Sequence, residues 1–250
     1  MHTMVRTLHS VKLGRDIPFK RYGHAGKPMI VFPTADGRFH EFEDFGMIEA
    51  CRPFIENGVI RVYAIDSIDR ETWLNGQADP VERARVHNAY DACIVDELIP
   101  AIKRQEPWSE GFLTAGCDMG AFHAANFFFK HPDVFDTLIA LSGYYDTRAF
   151  VGDRLGEFDI YVNSPIDYLK HLSDPWYLER YRTNSIVLCT GQGDQEARSI
   201  RDTRQLESIL REKGIPAWVD YWGYDVNHDW SWWRLQIAYF LGTLVERRRL

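Results

Sequence analysis

The chain has 250 residues, 45% of them hydrophobic and 26% charged, and carries a formal net charge of -7 at neutral pH. That profile belongs to an ordinary globular protein with enough apolar residues for a large core, and α/β folds of this length are commonly one domain. No basic block offers a phosphate-tracking surface, no run approaches the roughly 20 apolar residues needed to span a bilayer, and the first residues, MHTMVRTLHS, lack the apolar stretch of a secretory leader. Nucleic acid and membrane are therefore poor candidate partners, and the cytoplasm is the expected location.

In chain order, an N-terminal hairpin is followed by short apolar runs that alternate with longer segments of helical period. The predicted strands are MIVFPT at 29–34, VIRVYAID at 59–66, GFLTAGC at 111–117, TLIALSG at 137–143, SIVLCTG at 185–191 and AWVDYW at 217–222. Helical segments are expected to begin near Glu41, Pro80, Met119, Glu196 and Ser231. Strand and helix in alternation is the sequence form of β-α-β units on a mainly parallel sheet flanked by helices on both faces. From about Tyr144 to Thr183 the rhythm breaks: the segment is rich in Tyr, Asp and Pro and shows no long periodic element. It is read either as an insertion over the C-terminal edge of the sheet, in effect a lid, or as a plain surface connection. Cys51, Cys93, Cys117 and Cys189 sit in or beside apolar segments without a C-x-x-C pair, and read as reduced, buried thiols.

The run GFLTAGC leads into Gly116-Cys117-Asp118-Met119-Gly120 and then into the apolar helix AFHAANFFFKHP. This is the strand, sharp turn and helix of a nucleophile elbow, G-x-S-x-G, with aspartate in the serine place. Two glycines let the turn close, and the central side chain is left above the sheet at a helix N-terminus that favours an anion. Aspartate also tolerates positive φ better than most residues, so a tight turn alone would be a bland explanation for it.

The segments VFPTADGRFHEFEDFGM, IDSIDRETW, GCDMGAFHAANFFFKHPDVFD and WGYDVNHDWSWWRLQIAYFL resemble the bacterial "putative esterase" family of α/β-hydrolases, related to esterase D and the feruloyl esterases, over nearly the full length. The resemblance implies an α/β-hydrolase fold in a single domain, 1–250, and an esterase-like hydrolase of a small acyl or alkyl substrate without a cofactor or metal; homo-oligomerisation is left open. It also implies an order of acid and then base after the elbow. His228, behind AWVDYW, fits the base. Asp194 and Glu196 in GQGDQE both fit the orienting acid, with Asp225 a third choice. The oxyanion donors are expected from the Met119 amide and from the loop around Thr34, Ala35 and Asp36. The family loop reads closer to PTSGGRF, so the carboxylate of Asp36 is an added charge expected to oppose an oxyanion. Thr34 and Trp73 are candidates for the substrate pocket. Trp230, Trp232 and Trp233 read as core, and His87 and His123 as structural.

The aspartate changes the chemistry. With an ordinary pKa near ~3.9 it is already ionised at neutral pH and needs no base to attack. Attack on an ester would have to make an anhydride and expel an alkoxide, so a saturated carbon bearing a halide or an epoxide is the better target. Haloalkane dehalogenases and epoxide hydrolases use an aspartate in this way on the same fold, although their elbows place Trp where this chain has Met119, and the likeness is one of mechanism. Two other readings stay open: Asp36, Asp118, Asp194 and His228 gathering a divalent cation, and a silent member that keeps only a ligand pocket.

Overall fold

The computed structural model describes residues 1–105, 110–154 and 156–250. Eight strands make one sheet: β1 (Thr3–Ser10), β2 (Arg15–Tyr22), β3 (Lys27–Phe32), β4 (Ile60–Ile65), β5 (Phe112–Cys117), β6 (Phe135–Leu141), β7 (Ser185–Thr190) and β8 (Trp218–Tyr221). Their spatial order is β1-β2-β4-β3-β5-β6-β7-β8. The N-terminal hairpin is antiparallel and joins β4 in antiparallel sense, while every pair from β4 to β8 is parallel. All six strands read from the sequence are present, and the first of them stops at Phe32 because Pro33 supplies no ladder N–H.

The helices are α1 (Glu41–Asp44), α2 (Met47–Glu56), α3 (Pro80–Ala92), α4 (Ile99–Gln105), α5 (Met119–Lys130), α6 (Arg148–Val151), α7 (Phe158–Tyr161), α8 (Pro165–His171), α9 (Pro175–Thr183), α10 (Ala197–Glu212) and α11 (Trp230–Glu246), with a π-helical turn at Cys93–Leu98. The starts expected near Pro80, Met119, Glu196 and Ser231 are found within a residue, whereas the one at Glu41 gives a single turn that Gly46, at φ 77°, separates from α2. Asp79 and Asp229 cap α3 and α11 by accepting amide hydrogen bonds, which fixes those two starts. Between 144 and 183 the chain forms four short helices, α6 to α9, of nine residues or fewer.

The core lies on both faces of the sheet. One layer packs α3, α4, α5 and α10 side chains such as Tyr90, Ile99, Phe127 and Leu206 against Ile30 and Leu138. The other packs α2 and α11 side chains such as Cys51, Ile55, Phe240 and Leu241 against Val31 and Ala115. Helix α5 is buried from Met119 to Phe129, which explains why its sequence is apolar on all sides rather than on one stripe. All four cysteines are buried and free.

Register sets the site. Phe32 pairs with Gly116, Cys117 with Leu141, and Leu141 with Cys189, so the residues that follow β3, β5, β6 and β7 emerge side by side at one edge. The chain leaves β3 for β4 on one side and later returns to β5 on the other, the switch in strand order where an open α/β sheet forms a crevice.

Candidate active site

Asp118 sits at φ 54° and ψ -122°, a conformation that costs a non-glycine residue strain and survives only where the surroundings enforce it. The enforcement is close packing. A Cβ on Gly116 would lie 2.3 Å from the Gly120 carbonyl, and one on Gly120 would lie 2.4 Å from the Phe32 carbonyl oxygen. Both glycines are therefore needed to seat α5 against β3 and to turn the Asp118 side chain out over the sheet edge.

The Asp118 carboxylate is divided between two sets of partners. Oδ2 accepts the Ala35 amide hydrogen at 3.3 Å, and Oδ1 lies 3.2 Å from His228 Nε2. Burial pushes the carboxyl pKa up, but hydrogen bonds from His228 and from the Met119 amide, the His228 charge and the Tyr144 hydroxyl together hold it below the ordinary value. Asp118 is thus ionised, and its carboxylate takes hydrogen bonds from the Ala35 and Met119 amides that the sequence assigned to an oxyanion.

His228 comes from the loop between β8 and α11, where its amide donates to the Asp194 carbonyl at 3.3 Å. Its Nδ1 lies 3.2 Å from Glu196 Oε2, so the imidazole bridges two carboxylates with only 11% of its side chain exposed. Its ring stacks parallel to Tyr144, with centroids 6.1 Å apart, and meets Trp233 edge-on at 4.9 Å. Burial lowers its pKa, yet hydrogen bonds to Asp118 and Glu196 and their charges outweigh that and raise it to about 9. At neutral pH the ring is an imidazolium.

Glu196 is the acid. It is fully buried, yet Ser142 Oγ donates to it at 2.6 Å, Thr190 Oγ1 at 3.0 Å and the Gly191 amide at 3.4 Å, and Ser199 adds another hydroxyl. Burial pushes its pKa up and these hydrogen bonds, led by that of His228, bring it below the ordinary value. Ser142 is itself fixed by the Trp233 indole N–H at 3.0 Å.

Several expectations need correction. The Asp194 side chain is exposed and takes no part in the group; the residue contributes only backbone bonds, its amide donating to Asn227 Oδ1 at 2.9 Å. Asp225 is exposed too. Asp36, expected to oppose an oxyanion, is neutralised by a two-pronged ion pair with Arg70, Nη2 to Oδ2 being 2.5 Å. The pair borders a cleft of ≈ 420 Å³ whose walls include Arg38, Asp66 and Asp69. Thr34 does not offer its hydroxyl to a pocket: its amide and Oγ1 both bind the Glu41 carboxylate, at 2.7 and 2.8 Å, which anchors the loop to α1. Trp73 is 2% exposed and packs in the core with Phe122, Phe150 and His87, below the turn rather than in a pocket wall. Asp36 and Asp194 do not join Asp118, and among the described residues no group of three or more His, Cys, Asp or Glu is arranged to hold a metal ion. Trp233, His87 and His123 are buried, whereas Trp230 and Trp232 are only partly buried.

Sequence reasoning missed Ser142, Tyr144, Thr190, Ser199 and Arg70. Ser142 and Thr190 carried a usable signal, since each ends or follows a strand at the edge where Asp118 emerges. Tyr144, Ser199 and Arg70 carried none, because their contacts depend on how distant segments meet.

A sequence profile of the family described as "Putative esterase" matches residues 10–244. The chain belongs to this esterase family. No curated protein sequence matches it. Among solved structures it is similar to a ferulic acid esterase at 16% identity, covering 96% of each chain with a TM-score of 0.74. It is similar also to MPT51 of Mycobacterium tuberculosis, at 15% identity over 98% of each chain and a TM-score of 0.72. A third match is an S-formylglutathione hydrolase of Agrobacterium tumefaciens, at 13% identity over 98% of this chain and 95% of that one, with a TM-score of 0.71. At these identities the likeness shows the fold, that of the α/β-hydrolases.

Proposed function

We propose that this esterase-family chain is a hydrolase that uses Asp118 as its nucleophile on a reactive saturated carbon of a small molecule, through an alkyl ester of Asp118. The observation that carries the reading is the division of the carboxylate, with Oδ2 on the Ala35 amide and Oδ1 beside His228, while the Met119 amide also hydrogen-bonds to the carboxylate. Oδ1 is the attacking atom. The C–O bond forms as the bond from carbon to halide or epoxide oxygen breaks, and the halide leaves with the electron pair or the epoxide oxygen takes the proton that His228 holds at rest.

Esterification removes the Asp118 charge that keeps His228 protonated, so the imidazole pKa falls and, on the halide route, its proton is lost to water. The neutral ring then takes a proton from a water that attacks Cγ of Asp118. Oδ2 becomes the oxyanion, already facing the Ala35 amide, and collapse expels the alkoxide, which recovers a proton from His228. Glu196 orients the ring throughout and stabilises each imidazolium. A carboxylic ester substrate is not served by this arrangement, because its carbonyl oxygen would compete with Oδ2 for the same donors.

That competition also supports a second reading, a silent member that keeps a ligand pocket. The two readings part on the His228→Gln variant given a short terminal epoxide and a bromoalkane. An active nucleophile leaves a stable adduct on the peptide containing Asp118, read by mass spectrometry, because the second step lacks its base. Absence of an adduct in both His228→Gln and the parent, together with ester hydrolysis appearing only in Asp118→Ser, would establish the silent reading instead.

A further inference from the structure

We infer that Arg198 is the anion-recognition element of this site and that the molecule bound above Asp118 carries a carboxylate. Arg198 lies in the first turn of α10, two residues after Glu196. Its guanidinium sits 4.1 Å from the ring centre of Tyr144 and 5.4 Å from that of Phe150. Tyr144 stacks on His228 and its hydroxyl bears on Asp118, so a single aromatic ring separates the guanidinium from the candidate nucleophile.

What marks Arg198 is its want of a partner. Arg15, Arg38, Arg70, Arg148 and Arg201 each meet a carboxylate. Arg198 has no ion pair among the described residues, and its Nη2 is buried without a hydrogen-bond partner. The nearby Asp202 is bound to Arg201 and to the Tyr145 amide. A half-buried guanidinium that has given up water on one nitrogen gains only part of the loss from aromatic faces, and an incoming anion would supply the rest.

Local charge sets the class of anion. Asp118 and Glu196 are anionic, His228 is cationic, and Arg198 brings the four to neutrality. A singly charged planar carboxylate matches the fork of a guanidinium and adds one charge, whereas a dianionic phosphate would face two carboxylates at close range. The inference concerns recognition, and it holds whether Asp118 is a working nucleophile or the site only binds.

The test is calorimetric titration of the folded protein with benzoate and with benzamide, its neutral isostere. Benzoate is expected to bind at least about tenfold tighter than benzamide. Arg198→Met, which keeps the apolar stem, is expected to abolish that preference, and Arg198→Lys to keep part of it. Asp118→Asn should tighten benzoate binding several-fold without affecting benzamide, by removing a nearby like charge. Equal affinity for the two compounds, no benzoate binding, or a preference that survives in Arg198→Met would overturn the inference. Should Arg198→Met not fold, an unchanged preference in a folded Arg198→Gln would do the same.

Discussion

Two aspartates stand in left-handed turns at the same edge of the sheet, Asp36 after β3 at φ 61° and Asp118 after β5 at φ 54°. Each takes a positive φ, and their surroundings make them different groups. Asp36 is bound by a guanidinium that is itself 80% exposed, so it acts as a loop fastener in water. Asp118 is 16% exposed, holds an imidazolium on one oxygen and places the other on the Ala35 amide. A permanent charge on Arg70 can only neutralise its partner, whereas His228 can give up its proton, and only the second arrangement can do proton chemistry.

The comparison is broken most directly by removing one charge at a time. Asp118→Asn should keep the fold, since asparagine also accepts positive φ, and should lose roughly a thousandfold or more of any alkyl turnover. A variant retaining turnover within tenfold of the parent would remove Asp118 from the nucleophile role. Steady-state rates on bromoalkane and epoxide substrates, with circular dichroism as the fold control, make the measurement.

Stability against pH sharpens it. The folded pKa of His228 is raised to about 9 from an unfolded value of 6.5. Its contribution is therefore complete below about pH 6.5 and is lost as the pH rises through about 9. Denaturant unfolding should show a decline of about 3 kcal/mol across that window. In Asp118→Asn the decline should shrink, because one of the two carboxylates that hold the proton is gone. A stability curve flat from pH 6.5 to 9.5, in parent and variant alike, would contradict the doubly bridged imidazolium.

The smallest effect is expected at Asp36. Replacing it with asparagine removes an exposed ion pair, worth less than about 1 kcal/mol, while keeping a residue that accepts the turn. Unfolding free energy should move by no more than that and catalytic rate by less than tenfold. A loss comparable to that of Asp118→Asn would show that Asp36 takes part in the chemistry after all.

Much of this was legible in the chain because it is local. Alternating apolar runs and helical segments determine the sheet, and Gly116 and Gly120 around Asp118 announce the sharp turn, whose packing needs are confined to β3 and α5. The choice between Asp194 and Glu196 was not legible, because two residues of difference in one loop decide whether a carboxylate points to solvent or into a nest of hydroxyls from Ser142, Thr190 and Ser199. Trp73 misled for a related reason: proximity to the sheet edge in sequence does not say whether an indole turns toward the pocket or, as here, toward Phe122 and His87. The neutralisation of Asp36 depends on Arg70, thirty-four residues away, and no periodicity reports such a meeting.

The claim that Asp118 itself attacks carbon is tested most directly by a single turnover in water enriched in oxygen-18, with enzyme in excess over a reactive epoxide or bromoalkane. If water attacks Cγ of an Asp118 ester, the first product carries ordinary oxygen taken from Asp118 and the label is found in the peptide containing Asp118. Label appearing in the first product, with none in that peptide, would mean that water attacks the substrate directly and would contradict the account.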